Sequence, residues 1–176
     1  MTEAVIVSTA RSPIGRAMKG SLVEVRPDDL TATIVTAALD KGPQLDRSTI
    51  DDLILGCGQP AGESGYNLAR VAALLAGLDD VPGVTINRYC SSSLQSIRMA
   101  AHAIKAGEGD VFVAAGVETV SRYVNGMADT GPHNPLFAEA EARTAQFANG
   151  ADSWEPLAGL PDVYSAMGQT AENVRL

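Results

Sequence analysis

Short apolar runs rich in β-branched residues alternate along this sequence with stretches of helical periodicity. The apolar runs are Ala4–Ala10, "DDLILGCG" from Asp51, "GVTINR" from Gly83 and the beginning of "GDVFVAAGVETVS" from Gly109. Continuous apolar runs of this kind are typical of strands that are buried on both faces of a sheet. The alternation β-α-β-α-β-α-β therefore predicts an α/β fold with a parallel or mixed sheet and helices packed on its faces.

The spacing of apolar residues predicts the helices between these strands. The first begins at Pro27, a favoured first residue of a helix, and ends before Gly42. The second covers residues 67–76 and is stopped by Gly77. The third follows Cys90 directly and has one apolar face, formed by Leu94, Ile97, Ala101 and Ile104.

The alternation of strands and helices stops after Ser121. Proline, glycine and asparagine then recur at irregular intervals, which predicts a long excursion over a surface with a short helix at Leu136–Phe147. The final "SAMGQTAENVRL" predicts the start of another helix, and no stop signal closes it. We therefore predict a core over residues 1–121, the start of an inserted loop region over residues 122–176, and a chain that is a fragment of a longer protein.

Charge and composition argue against several classes of function. The net charge is −8, and the 13 lysines and arginines are scattered, which argues against a nucleic-acid partner. No apolar run approaches the roughly 18 residues of a membrane span, and the N-terminus lacks the basic flank of a signal peptide. We expect a cytoplasmic protein without a membrane segment. Its two cysteines make no disulfide framework and no zinc spacing, so no metal site is predicted.

Cys90 occupies the junction between a predicted strand and a predicted helix. The unpaired N–H groups and the dipole of a first helical turn stabilise a thiolate there, which is the condition for a nucleophilic cysteine. Free cysteines are more often small buried hydrophobes. Position and composition alone therefore favour neither of these two interpretations of Cys90. Cys57, which ends a strand with no helix start beside it, is predicted to be structural, and Ser91–Ser93 are predicted to cap the helix.

Five segments in order resemble the N-terminal half of the thiolases, the acetyl-CoA acyltransferase family. They are "VIVSTARSPIGR" from Val5, "NLARVAALLAGL" from Asn67, "VPGVTINRYCSSSLQS" from Val81, "AAGVETVSR" from Ala114 and "MGQTAENV" from Met167. The resemblance covers nearly the whole chain. It implies the thiolase-like N-terminal α/β domain with a mixed sheet and helices on both faces.

The same resemblance implies roles for individual residues. Cys90 would be the acylated nucleophile, and its backbone N–H would also help to bind the thioester oxygen. Met167 would contact CoA. Acyl-CoA and CoA are implied as substrates, and neither a metal nor a redox cofactor is implied. Two positions depart from the family: Ser93 stands where glycine is usual, and Ala166 stands where histidine usually precedes Met-Gly.

The activity implied by the resemblance is thiolysis of 3-oxoacyl-CoA to acetyl-CoA and a shortened acyl-CoA, or the reverse condensation. "NRYCSSSLQ" is more similar to the degradative branch, which favours fatty-acid or steroid-side-chain degradation. The family's activating histidine, acid cysteine and asparagine come from its C-terminal half and are not assigned here. We therefore expect these 176 residues alone to be inactive.

The family also implies a homodimer or homotetramer, with Val84–Arg88 as a candidate for strand pairing across the two-fold axis. Two alternatives stay open. One is a decarboxylating ketosynthase of fatty-acid or polyketide synthesis, which would use a carrier-protein partner. The other is a non-catalytic thiolase-like protein that binds acyl-CoA, an interpretation suggested by Ser93 and Ala166.

Overall fold

A computed structural model describes residues 2–148 and 159–175 of the chain. The chain divides into two compact units, Met1–Asp129 and Thr130–Leu176. The helices and strands, in chain order, are α1 (Pro27–Leu39), β1 (Asp52–Gly56), α2 (Leu68–Leu75), β2 (Gly83–Ile86), α3 (Ser92–Ala106), β3 (Phe112–Gly116), α4 (Ala138–Ala148) and α5 (Met167–Arg175). The predicted α/β class and the predicted helices are confirmed.

The first unit is built on a three-stranded sheet with the order β2-β1-β3. Leu53 in the central strand pairs with Gly83 on one side and with Val113 on the other, and both pairings are parallel. The three described strands are thus all parallel, one of the two arrangements that the alternation predicts, and no antiparallel strand of the mixed sheet that the resemblance implies is among them. The reason is that α2, between β1 and β2, and α3, between β2 and β3, each carry the chain back to the end of the sheet where the strands begin. The carboxyl ends of the three strands consequently meet at one edge.

Helices cover both faces of this sheet. On one face, Leu53 and Leu55 of β1, together with Cys57 just after the strand, join a core with α1 and α2. The other face packs against α3, where Ser96 is fully buried and its Oγ donates a hydrogen bond to the carbonyl oxygen of Ala115 on β3. The predicted arrangement of helices on both faces is confirmed.

The N-terminal run Ala4–Ala10 belongs to no strand of the described structure, which corrects the prediction. Its apolar side chains at positions 5–7 are 70–87% exposed. Hydrogen bonds tie it to the end of α1, because Ser8 Oγ donates to the carbonyl oxygen of Ala38 and Lys41 Nζ donates to that of Thr9. A β-rich composition suits a segment to a sheet, but a strand exists only where a neighbour supplies the ladder of hydrogen bonds.

The second unit contains α4 and α5. A short 3₁₀ turn at Pro135–Phe137 leads into α4, so the short helix predicted at Leu136–Phe147 is confirmed. The unit boundary follows Asp129, and the assignment of residues 122–176 to an inserted region of the family remains a prediction. In the two described stretches of the chain, no helix has the length and the apolar character needed to cross a membrane.

Candidate active site

Three loops leave the carboxyl edge of the sheet, one after each strand. Cys90 lies in the loop after β2, within a 3₁₀ turn at Tyr89–Ser91 that leads directly into α3. The cysteine is therefore at a strand-to-helix junction, as predicted, and it is exposed. Its backbone N–H donates to no acceptor in the described part of the chain. An accessible sulfur and a free N–H group at the start of a helix can receive a carbonyl carbon and its oxygen together.

Ser92 fastens the turn that carries Cys90. The buried Ser92 Oγ accepts a hydrogen bond from the backbone N–H of Arg88 at 2.8 Å and donates one to the carbonyl oxygen of Tyr89 at 2.6 Å. Ser91, which occupies the cap position of α3, makes no side-chain cap bond, and this corrects the predicted capping by the serines. The first N–H group of the helix, that of Ser92, donates instead to the carbonyl oxygen of Tyr89 in the 3₁₀ turn.

Glycines at two strand ends let α3 approach the sheet closely. A Cβ atom added to Gly56 at the end of β1 would lie 2.5 Å from the carbonyl carbon of Ser92. One added to Gly116 at the end of β3 would overlap Ser93 Oγ. The side chain of Ser93, which departs from the family pattern, thus lies against β3 and occupies the space above Gly116.

Glu118 connects the loops after β1 and β3. Its Oε2 accepts a hydrogen bond from the backbone N–H of Gly58 at 2.7 Å, and its Oε1 lies 3.9 Å from Cys57 Sγ. Burial, together with the negative charge of Glu118, raises the pKa of the Cys57 thiol. The same two causes raise the pKa of Tyr123 to about 12. Cys57 is 1% exposed and remains a protonated thiol at neutral pH, so its predicted structural role is confirmed.

A second set of contacts joins all three loops beside Cys90. The Tyr89 hydroxyl donates to Asp129 Oδ1 at 3.1 Å, and Gln59 Nε2 donates to Asp129 Oδ2 at 2.6 Å. Gln59 Oε1 accepts hydrogen bonds from the backbone N–H groups of Ala128 and Asp129. Sequence reasoning did not find these residues, because a polar side chain in a loop gives no sign of a partner 40 or 70 residues away.

Glu63 anchors the glycine-rich loop after β1. Its carboxylate accepts hydrogen bonds from Arg122 at 2.6 and 2.7 Å and from Asn125 at 3.0 Å, and it also pairs with Arg26. The hydrogen bonds from Arg122 hold the pKa of Glu63 below its usual value. The loops after β1 and β3 are therefore joined by charge as well as by Gln59.

The second predicted site residue, Met167, belongs to the second unit. It is the first residue of α5 and is 72% exposed. Its carbonyl oxygen accepts a hydrogen bond from Thr170 Oγ1 at 2.8 Å. Contact of Met167 with CoA stays a prediction.

Comparison with known proteins shows which family this chain belongs to. The family model for the N-terminal domain of thiolase matches residues 4–175. The chain belongs to the thiolase family. The resemblance in the five sequence segments is thereby confirmed, and the Cys90 turn is the turn of a thiolase N-terminal domain.

Thiolases of known name are similar over nearly all of this chain. The 3-oxoadipyl-CoA/3-oxo-5,6-dehydrosuberyl-CoA thiolase of Escherichia coli (strain K12) is 44% identical, over 99% of this chain and 42% of that protein. The 3-ketoacyl-CoA thiolase of Bacillus subtilis (strain 168) is 43% identical, over 99% of this chain and 39% of that protein. The chain thus spans about two fifths of the length of these thiolases.

A solved structure agrees with the fold. The acetyl-CoA acetyltransferase of Bacillus anthracis superposes with a TM-score of 0.64 at 40% sequence identity, over 69% of this chain and 30% of that one. The parallel sheet with helices on both faces is therefore a thiolase architecture, and the predicted fold class is confirmed.

Proposed function

We propose that the complete protein is an acyltransferase that cleaves 3-oxoacyl-CoA with CoA through an acyl-enzyme on Cys90. The observation that carries the proposal is the exposed Cys90 at the carboxyl edge of a thiolase sheet. Its backbone N–H has no partner among the described residues and can bind an oxyanion. The second cysteine is buried and protonated, so it does not compete for this role. Coenzyme A is the substrate, and thiol chemistry of this kind calls for neither a metal nor a redox cofactor.

The proposed reaction has two thioester steps. The Cys90 thiolate attacks the 3-keto carbon, and the oxyanion formed is stabilised by the N–H of Cys90. The bond between carbons 2 and 3 then breaks, its electron pair stays on the two-carbon fragment, and a proton completes acetyl-CoA. A second CoA thiolate attacks the acyl group, and Cys90 leaves as a thiolate. The resemblance assigns the base and acid to the C-terminal half of the family's fold, so every test uses the complete protein.

The acyl group is the finer part of the proposal. The names of the relatives include a dicarboxylic substrate, 3-oxoadipyl-CoA, and the general 3-ketoacyl-CoA class. We propose a degradative thiolase for the 3-ketoacyl class, in the cytoplasm and in fatty-acid metabolism. We also propose a homodimer or homotetramer, as the family resemblance implies, with Val84–Arg88 as the candidate for strand pairing because β2 lies at the edge of the described sheet. The Asn67 side chain bonds the N–H of Thr85 and the carbonyl oxygen of Gly83 on this edge, so pairing there would have to displace it. Relative kcat/KM for 3-oxoadipyl-CoA and a six-carbon 3-oxoacyl-CoA measures the preference between the two classes.

The first prediction concerns the nucleophile. Replacing Cys90 by alanine removes the attacking sulfur, so we expect kcat for thiolysis to fall by at least about a thousandfold. Cys57→Ala is the matched control and should retain most of the activity, since that thiol is buried on the opposite side of β1 from α3. Acetyl-CoA formation is measured by chromatography.

Labelling separates an enzyme from a binding protein without substrate. Iodoacetamide near neutral pH should modify Cys90 much faster than Cys57, and peptide mass spectrometry measures both rates. Equal labelling rates of the two cysteines, or thiolysis by Cys90→Ala above a few per cent of the wild-type activity, would refute the role of Cys90 as nucleophile. Condensation that requires a malonyl-carrier protein, with no thiolysis, would instead identify the ketosynthase alternative.

A further inference from the structure

Tyr89, the residue before Cys90, has a backbone conformation that tyrosine rarely adopts. Its φ is +45°, in the left-handed region, which costs a residue with a side chain about 1–2 kcal/mol. Four hydrogen bonds involve this residue: its N–H donates to Asn87 Oδ1 at 2.7 Å, its carbonyl oxygen accepts from both the N–H and the Oγ of Ser92, and its hydroxyl donates to Asp129 Oδ1. The strained residue is thus held at its backbone and at the tip of its side chain.

We propose that Tyr89 is a positioning residue for Cys90, held in its left-handed conformation by Asp129, which Gln59 fixes in turn. This inference rests on the proposed function of Cys90 as the nucleophile. Tyr89 does not touch the reacting atoms. It acts by setting the direction of the peptide unit that carries the N–H of Cys90.

The anchor at Asp129 is itself held by hydrogen bonds. One carboxylate oxygen accepts from Tyr89 and the other from Gln59, so both are engaged. Both groups of the Gln59 side-chain amide make hydrogen bonds, because its oxygen accepts from two consecutive backbone N–H groups, those of Ala128 and Asp129. The hydroxyl of Tyr89 is therefore tied to the chain just after β1 and to the loop after β3. The Asp129 carboxylate also raises the pKa of Tyr89, so the hydroxyl remains a donor at neutral pH.

The connection matters for the chemistry because the N–H group that binds the oxyanion lies in the peptide between residues 89 and 90. A rotation at Tyr89 turns this N–H directly. An oxyanion donor contributes to the rate only when it points at the position of the oxygen in the transition state. Misplacement by about 1 Å costs up to about a hundredfold in rate. Binding of the distant parts of CoA does not depend on this direction, so the effect belongs in kcat rather than in KM.

The test is Tyr89→Phe in the complete protein, which removes one hydroxyl and keeps the ring. We expect kcat to fall about tenfold, with KM changed less than about twofold and the melting temperature nearly unchanged. Tyr66→Phe is the matched control. Tyr66 is also a tyrosine at positive φ (+55°), is 95% exposed, and its hydroxyl has no partner in the described residues. It should behave like the wild type.

A double-mutant cycle tests the route through Asp129. Asp129→Ala should lower kcat by about as much as Tyr89→Phe, and the double variant should be no worse than either, because both changes break one connection. Additive losses in the double variant would overturn the proposal. So would a Tyr89→Phe enzyme with wild-type kcat, or a loss of activity that simply follows a lowered melting temperature.

The rate of Cys90 alkylation, followed against pH, is the second readout and needs no turnover. Alkylation of the thiolate needs no oxyanion donor, so we expect both Tyr89→Phe and Tyr66→Phe to keep the wild-type profile. A changed profile in Tyr89→Phe would place its effect on the thiol rather than on the N–H group, and would overturn the inference while leaving Cys90 as nucleophile. Full thiolysis activity in Cys90→Ala would instead contradict the proposed function of Cys90. The experiments therefore distinguish a failure of this inference from a failure of the proposed function.

Discussion

At the scale of single residues, one hydroxyl fills the space between α3 and the end of β3. Ser93 Oγ lies where a Cβ on Gly116 would have to be, and the next nearest atoms are Ser93 Cβ at 2.8 Å and Ser93 Cα at 3.4 Å. Without the side chain of Ser93, the nearest of these atoms would be the Cα, at an ordinary van der Waals distance. The glycine that is usual at position 93 in the family would therefore leave room beside residue 116.

This packing predicts a compensating pair. Gly116→Ala should lower the free energy of unfolding by about 1–3 kcal/mol, the usual cost of overpacking. In a Ser93→Gly background the same change should cost much less, because the clashing atoms are gone. Urea unfolding of the four proteins measures both costs. An equal cost of Gly116→Ala in both backgrounds would contradict the packing described above.

Residue-scale prediction from the sequence was uneven. The place of Cys90 was predictable, because a strand pattern stops and a helix pattern begins on either side of it. The contacts of Tyr89 were not predictable, because they depend on Asp129, 40 residues later in a loop without periodicity. Ser92 was interpreted as a helix cap, although its hydroxyl instead closes the turn that precedes the helix.

At the scale of elements, the two ends of α3 depend on glycine for different reasons. At the C-terminal end, Gly107 has φ +77° and no atom lies within 4 Å of an added Cβ, so only its backbone conformation matters. At the N-terminal end, Gly56 on the neighbouring strand has an ordinary φ, but an added Cβ would lie 2.5 Å from one backbone atom of α3 and 2.6 Å from the next.

These two glycines should therefore respond differently to alanine. Gly107→Ala should cost about 1 kcal/mol of unfolding free energy and leave Cys90 unchanged. Gly56→Ala should cost more and also alter the rate at which iodoacetamide modifies Cys90, because the first turn of α3 must move. Urea unfolding and alkylation of both variants provide the measurement. If Gly107→Ala changed the alkylation rate of Cys90 and Gly56→Ala did not, the roles given to these two glycines would be wrong.

The elements differed in how far the sequence determined them. α1 and α3 were predictable because proline, glycine and apolar spacing are local signals within one helix. The run Ala4–Ala10 has an equally clear strand composition, yet it is unpaired in the described structure. Pairing depends on which segment lies alongside, and apolar composition carries no such information.

At the scale of the whole molecule, charged groups join distant segments of the first unit. Glu63, in the loop after β1, binds Arg122 from the loop after β3 and Arg26 before α1. The side chains of Glu63 and Arg122 are only 18% and 16% exposed, so water screens this pair little. These ion pairs join loops at the carboxyl edge of the sheet, which is also the edge where Cys90 lies.

This network predicts a stability that depends on pH. Because the pKa of Glu63 is lowered by folding, its contribution is complete above the usual value of 4.5 and is lost as the pH falls through the folded-state pKa. Glu63→Gln should therefore be less stable than the wild type at pH 7, and the difference should shrink below about pH 4.5. Chemical unfolding across this pH range measures it. A difference that stays constant into acid would show that charge is not involved.

The order of the strands has a consequence during synthesis. The central strand β1 is translated first. The residues whose contacts hold the Cys90 turn come from both sides of that turn in the sequence, Gln59 before it and Asp129 after it. Asp129 follows Tyr89 by 40 residues, and a ribosome needs roughly 2–8 s to add that many. The nascent chain therefore carries its reactive thiol for seconds before the residue that anchors the neighbouring tyrosine has been translated.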